Sequence, residues 1–444
     1  MENTMAPGVS PAIPATEEDR IYRKVGWRLV PLLVVCYVVA YLDRVNVGFA
    51  KLQMLQELQF SETVYGLGAG IFFIGYFIFE IPSNIILHKV GARVWIARIM
   101  ITWGIISACM MFVTSVHMFY ALRFLLGAAE AGFFPGIILY LTYWYPAARR
   151  GRITTFFMTA VPMSGLIGGP ISGWIMSTFH GDHGLSGWQW LFLLEGIPSV
   201  LIGVLVLIYL DDRINRAKWL TASEKAVLIR NIAAEEQQKE DPPIRAALTK
   251  PRVWAMALIY FSFVMGLYGV GFWMPTLIKS TGVQSPLAIG LLTAVPNLFA
   301  VIGMILISRN SDRHRERRWH VALPALFGAL GLLLSALWSG NTVLAILALT
   351  VANIGICTVL PLFWSLPTAL LGGTAAAAGI ALINSVGNLA GFASPYLVGW
   401  LKDLTGTTNT GLYMLSGCLV VGALVALAQP ARLVNTRVSL HAVS

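Results

Sequence analysis

The stretch LFLLEGIPSVLIGVLVLIYL at 191–210, followed at once by DDRINRAKWLTASEK at 211–225, carries the reading of the fold. The first part holds one ionisable residue, Glu195, in a length that crosses the hydrocarbon of a bilayer as an α-helix, about 20 residues. The second part opens the longest charged segment of the chain, which continues through AAEEQQKEDPPIR to residue 252. A membrane span abutting a charged segment near mid-chain predicts two membrane halves joined through water. Thr221 stands three residues before Glu224, a capping pattern, so a short surface helix is expected inside this linker.

Outward from that point, apolar runs recur on both sides. Spans are predicted near 27–48, 64–87, 94–113, 118–140, 153–178 and 190–210, then near 253–278, 287–308, 319–339, 343–366, 376–400 and 410–430. The expected fold is all-α and integral to the membrane: twelve transmembrane helices in two six-helix halves, residues 20–210 and 253–430. A polar tail at 1–19, the linker at 211–252 and a second tail at 431–444 complete the chain. Composition agrees, since 57% of residues are hydrophobic and only 12% charged, where a soluble protein has roughly a quarter charged.

The net charge of +10 does not form a basic stripe interleaved with aromatics, so a nucleic-acid partner is not expected. The basic residues mark orientation instead. Arg20, Arg23, Lys24, Lys89, Arg93, Arg149, Arg150, Arg309, Arg313, Arg317 and Arg318 flank loops on the side of the N-terminus, and Lys51, Lys279 and Lys402 lie on the other. Excess Lys and Arg face the cytoplasm, which predicts cytoplasmic termini in a bacterial-type inner membrane. Residues 1–19 lack the basic start and apolar middle of a secretory signal.

Several chemistries are excluded. Cys36, Cys109, Cys357 and Cys418 fall in four separate spans without CxxC spacing, so they read as small core residues. All seven histidines lie in loops or at helix ends, and His180-x-x-His183 is too short a pattern to carry a metal site. No Walker motif is present, which argues against ATP-driven transport, and no nucleophile and base set supports an enzyme. No cofactor is expected; protons would be the coupling ion. A carboxylate sensor would need a signalling domain, for which the linker is too short.

The halves repeat. NIILHKVGAR at 84–93 follows the second span, and SRNSDRHRERR at 308–318 follows the eighth; SGLIGGPISGW at 164–174 is echoed by VGNLAGFASPYLVGW at 386–400. Duplicated halves point to a rocking carrier with its site between them. The two loops resemble the G-x-x-x-D-R-x-G-R-R signature of the major facilitator superfamily; the second keeps Asp312 and Arg313, while His88 replaces the usual aspartate of the first. YLDRVNVGFA at 41–50, RFLLGAAEAGFFPG at 123–136, WQWLFLLEGIPS at 188–199 and TAAAAGIALINSVGNLAGFASPYLVGWLKDLTG at 374–406 are together similar to its anion:cation symporter family. That resemblance, over about residues 20–430, implies a monomeric carrier that imports a small organic-acid anion with protons by alternating access. Tartrate, galactonate, hydroxyphenylacetate and phthalate are substrates of this type; exchange or export are the alternatives.

Ionisable residues at bilayer depth cost several kcal/mol each unless paired or hydrated. Here they are Asp43, Arg44, Glu80, Arg98, Arg123, Glu130 and Glu195, all in the first half. Arg123 and Glu130 are seven apart, hence on one helix face about two turns from each other. Arg44 and Arg123 are candidates to grip a substrate carboxylate, and Asp43 and Glu130 to carry protons. The bland reading makes Asp43 with Arg44, and Arg123 with Glu130, packing ion pairs; the family resemblance places substrate and proton residues in the LDR and RFxxGxxEA motifs. Glu80 and Glu195 read as structural, and Arg98 as snorkelling to headgroups. Tyr41, Tyr76, Asn384, Asn388 and Trp364 are the neutral substrate candidates, and Trp273 reads as either core or lining.

Overall fold

The structure, a computed structural model, describes residues 15–236, 250–314, 316–370 and 375–431. Residues 1–14, 237–249 and 432–444, which belong to the expected tails and linker, fall outside the described residues. In the first half, α1 (Ala15–Val45) is continued after Asn46 by α2 (Val47–Leu58), and α3 (Glu62–Val90) and α4 (Ala92–Cys109) follow. Then come α5 (Val116–Glu130), α6 (Phe133–Thr142), α7 (Ala147–Met158), α8 (Ala160–Thr178) and α9 (Gly187–Tyr209). The linker contributes α10 (Ala222–Glu236). The second half comprises α11 (Pro251–Ser280), α12 (Pro286–His314), α13 (Arg318–Leu337), α14 (Thr342–Phe363), α15 (Ser365–Leu370), α16 (Ala375–Thr405) and α17 (Asn409–Leu427).

Ten helical stretches among the described residues are long and apolar enough to cross a membrane. Their outward faces are apolar too, with Trp27, Ile81, Leu201, Ile208, Leu337 and Val343 exposed. A helix apolar on all sides suits protein on one face and lipid on the other. The linker helix starts as its sequence predicts: the Glu224 amide donates to Thr221 Oγ1 at 3.3 Å, and the Thr221 amide donates to Glu224 Oε2 at 2.8 Å. Lys24 reaches the same Glu224 at 2.8 Å, which ties α10 to α1 on the face that carries the chain ends, the terminal face.

Two breaks were not visible as proline signals. The first span is interrupted at Asn46. The fourth is interrupted directly after Glu130, where Gly132 adopts φ +82°, a left-handed conformation open to glycine, before α6 begins. Within each half, glycine lets backbones touch. A Cβ on Gly127 of α5 would lie 1.8 Å from the backbone oxygen of Phe72 in α3.

The halves meet along α8 with α12, α3 with α16 and α2 with α11. On the face opposite the termini, the far face, they are in backbone contact: a Cβ on Gly173 would lie 2.4 Å from Pro286 O, on Gly66 2.4 Å from Pro395 O, and on Gly48 2.7 Å from Phe272 O. Ion pairs seal this face. Glu62 binds Lys51 at 2.6 Å and also Lys402 of the other half, and Asp403 accepts from the Thr63 amide at 2.7 Å.

The α3–α5 contact gives a direct check of the packing. Gly127→Ala should force the two helices apart and cost about 1–3 kcal/mol by overpacking. It is read as a lower apparent unfolding temperature of the purified protein in detergent, and an unchanged temperature would refute the close crossing.

Candidate functional site

Tyr37, Tyr41 and Arg44 stand at i, i+4 and i+7 on α1 and so share a face. That face lines a central cavity of about 70 Å³ between the halves, whose wall also takes Tyr76 of α3, Tyr260 and Tyr268 of α11, and Asn384 and Asn388 of α16. Among its described lining residues Arg44 alone is charged at neutral pH. The guanidinium is buried and spans the halves: Nη2 pairs with Glu130 Oε1, and Nη1 donates to the Tyr268 hydroxyl at 2.8 Å. Glu130 is the last residue of α5, where exposed carbonyls give the helix a partial negative charge. A carboxylate there needs a cation, and Arg44 is that cation.

The two ion pairs of the bland reading are therefore not formed. Asp43 does not meet the Arg44 guanidinium, because neighbouring helical residues point about 100° apart. Its carboxylate turns toward α4 and α9 and accepts from Trp103 Nε1 at 3.0 Å, Ser107 Oγ at 3.2 Å and Ser199 Oγ. Arg123 does not pair with Glu130. Two turns separate them by about 10.5 Å along the axis, and the arginine is held by α3, donating from Nε to Gly68 O at 3.1 Å and from Nη2 to Ala69 O at 3.2 Å. Arg123 is fully buried and lies outside the cavity wall in this conformation, with Nη1 unbonded.

The neutral candidates divide. Tyr41, Tyr76, Asn384 and Asn388 all line the cavity. Asn384 also reaches Glu80 Oε1 at 3.4 Å, so the carboxylate read as structural faces the other half across the interface. Trp364 stands behind the wall, its ring 4.9 Å from that of Tyr260. Trp273 is at the far face, with Lys51 Nζ 3.4 Å above its ring. Tyr37, Tyr260 and Tyr268 were missed; Tyr37 could have been found from its four-residue spacing to Tyr41.

A family model described as Major Facilitator Superfamily matches residues 33–395. The chain belongs to the major facilitator superfamily. This facilitator is a multi-pass membrane transporter and not an enzyme, and its close relatives agree. A Pseudomonas putida protein provisionally named a metabolite transport protein, NicT, is 54% identical over 417 residues, 94% of this chain and 95% of the relative. An Agrobacterium vitis protein provisionally named a tartrate transporter is 53% identical over 412 residues, 92% of this chain and 94% of the relative. Among solved structures, that of a D-xylose-proton symporter superposes with a TM-score of 0.72 at 16% identity, over 91% of this chain and 98% of that one, which is a likeness of fold.

For this facilitator the partner of Glu130 can be checked by a double-mutant cycle on stability. Arg44→Gln alone leaves a buried carboxylate unpaired and should cost about 3–5 kcal/mol, whereas Arg44→Gln with Glu130→Gln should recover much of it. Apparent unfolding temperatures in detergent read the coupling. Coupling of Glu130 to Arg123 instead of Arg44 would overturn the assignment.

Proposed function

We propose that this facilitator imports a small organic-acid anion by proton symport with alternating access. The acid is a hydroxy-dicarboxylate such as tartrate, a sugar acid or an aromatic carboxylate. On this reading it is a monomer of the bacterial inner membrane, with twelve spans and both termini in the cytoplasm. The orientation rests on the basic loops of the terminal face, and the substrate class on the names carried by the relatives.

The observation that carries the mechanism is the buried Arg44–Glu130 pair at the cavity wall. Arginine keeps its charge and grips a carboxylate through a planar fork. An arriving substrate carboxylate competes with Glu130 for that fork. Glu130 is then left at the carbonyl end of α5 in a low dielectric without its cation, and takes up a proton. The empty carrier holds Arg⁺ with Glu⁻, and the loaded carrier holds Arg⁺ with substrate carboxylate beside neutral Glu130. Both states are neutral at the pair for the one carboxylate that it grips. Asp43, ringed by neutral donors, is the second proton station of this proposal. Tyr268, Asn384 and Asn388 supply hydrogen bonds to the acid from the second half, and Tyr41 and Tyr76 from the first. Arg123 could reach an anion only after releasing the α3 carbonyls, which gives it a place in the conformation open at the far face.

The test is uptake of labelled tartrate, galactonate, hydroxyphenylacetate and phthalate into proteoliposomes under an imposed pH gradient. At least one acid should accumulate, and a protonophore should abolish the accumulation; none doing so would sink the symport reading. In the same vesicles Glu130→Gln, which imitates the protonated acid, is expected to exchange labelled for unlabelled substrate but not to concentrate it. Normal accumulation by Glu130→Gln would return Glu130 to a structural role.

A further inference from the structure

Glu195 is an intramembrane acid to which the transport cycle above gives no task. It lies in α9 with 3% of its surface exposed. Oε1 accepts from Ser172 Oγ of α8 at 2.6 Å, while Oε2 is buried without a hydrogen bond. Asn46 at the end of α1, also buried, lies beside it within reach of a hydrogen bond. The charged group that faces Glu195 is another acid, Asp43 of α1, which is bonded to Ser199 one turn along from Glu195 and to Trp103 and Ser107 of α4. Thus, among the described residues, α1, α4, α8 and α9 surround two carboxylates with neutral donors. Two ionised carboxylates in such a place repel each other.

A second cavity, of about 60 Å³, touches this group. Asn46 and Ser172, the two side chains beside Glu195, both line it, and so do Gly165, Gly169 and Thr293. It shares Tyr41, Val161, Leu267 and Cys357 with the wall of the central cavity, so the two spaces adjoin. Its other boundary is the seam between the halves: a Cβ on Gly290 of α12 would lie 2.2 Å from Gly169 O of α8. Thr293 is seven residues into α12 from Pro286, about 10 Å below the far face. The contact of Gly173 with Pro286 covers that path here.

We propose that Glu195 is a proton-binding group loaded from the far face through the Asn46–Ser172 cavity when α8 and α12 part. A proton from the solution on the far side, relayed through water in the opened seam, adds to Glu195. Closing the seam seals the protonated acid, and the proton leaves through the central cavity once substrate has departed and water has replaced it. The same glycine-lined contact that closes the far face to substrate thereby closes it to protons. This inference rests on the symport reading.

The experiment uses the full-length protein in proteoliposomes with a trapped pH dye and the acid that accumulates best, tartrate being tried first. Glu195→Gln keeps an oxygen for Ser172 but cannot take a proton. Counterflow should persist, the protons moved per acid should fall by about one, and limiting accumulation under a gradient of one pH unit should fall about tenfold, since 1.4 kcal/mol is a factor of ten. Glu195→Asp, which still titrates, should keep the coupling. Wild-type stoichiometry and accumulation in Glu195→Gln would overturn the proposal, as would equal loss in the Gln and Asp variants, which would indicate packing. Should Glu195→Gln fail to insert, Ser172→Ala carries the test: losing a hydrogen bond to a charged group should move the pH midpoint of accumulation by about one unit, and an unmoved midpoint would overturn the assignment. If the wild-type protein accumulates no acid under a pH gradient, the symport reading fails and this one with it.

Discussion

The buried pair of Arg44 and Glu130 is the interaction on which the arrangement of the centre depends. An ion in the hydrocarbon layer costs several kcal/mol, and the cost falls only when an opposite charge and further hydrogen bonds surround it. Glu130 carries an added penalty because it ends α5 beside unbonded carbonyls. The break at Gly132 fixes that position, since α5 ends at Glu130 and α6 starts only at Phe133. The remaining cation also has its own compensation: Arg123 faces carbonyl oxygens of α3 and the ring of Phe72, 5.2 Å away. The two arginines thus have separate solutions, and only that of Arg44 opens onto the cavity.

Closure at the far face follows a different principle. Glycines place backbone against backbone where the halves meet, so the seam has no long side chains that would have to interdigitate again in every cycle. Lys51 is buried between the Glu62 carboxylate and the Trp273 ring, and the charged groups around it pair at the edge of the membrane layer. There, Lys402 and Glu62 each retain about a fifth of their side-chain exposure. Partial hydration weakens such a pair to about 1 kcal/mol or less. A seal of this strength can yield to a substrate.

Much of the fold was legible because it depends on local composition. Apolar runs locate helices, and Thr221 with Glu224 foretells the start of α10. The shared face of Tyr41 and Arg44 follows from helical periodicity alone. Partner choice was not legible, because it depends on how helices rotate about one another. Sequence spacing put Arg123 and Glu130 on one face correctly, but α3 supplies Arg123 with carbonyls from 54 and 55 residues away in the chain, and α1 supplies Glu130 with Arg44 from 86. Nothing in the composition of α11 distinguishes Tyr268 from other membrane tyrosines. Trp364 shows the opposite error: an aromatic at a plausible depth stands behind Tyr260, not at the surface of the cavity.

The charge asymmetry between the halves has a mechanical reason. In the centre, the described polar contacts that cross between halves join a charged group to a neutral one: Arg44 to Tyr268, and Glu80 to Asn384. Tyr65 adds a bond to the Phe272 carbonyl at 2.8 Å. Breaking a hydrogen bond to a charged group costs about 1.5–3 kcal/mol, whereas separating a buried ion pair costs about 3–5 kcal/mol. A carrier whose halves were joined by central ion pairs would be held in one conformation by terms comparable to its whole stability. Keeping both members of the central pair in the first half avoids this, because under the proposed alternating access Arg44 and Glu130 stay together and only hydrogen bonds such as those to Tyr268, Asn384 and the Phe272 carbonyl are interrupted. The Glu62–Lys402 ion pair joins the halves at the far face, where water can take over each charge as the seam opens. The distribution of charge along the sequence is therefore a condition for motion as well as for binding.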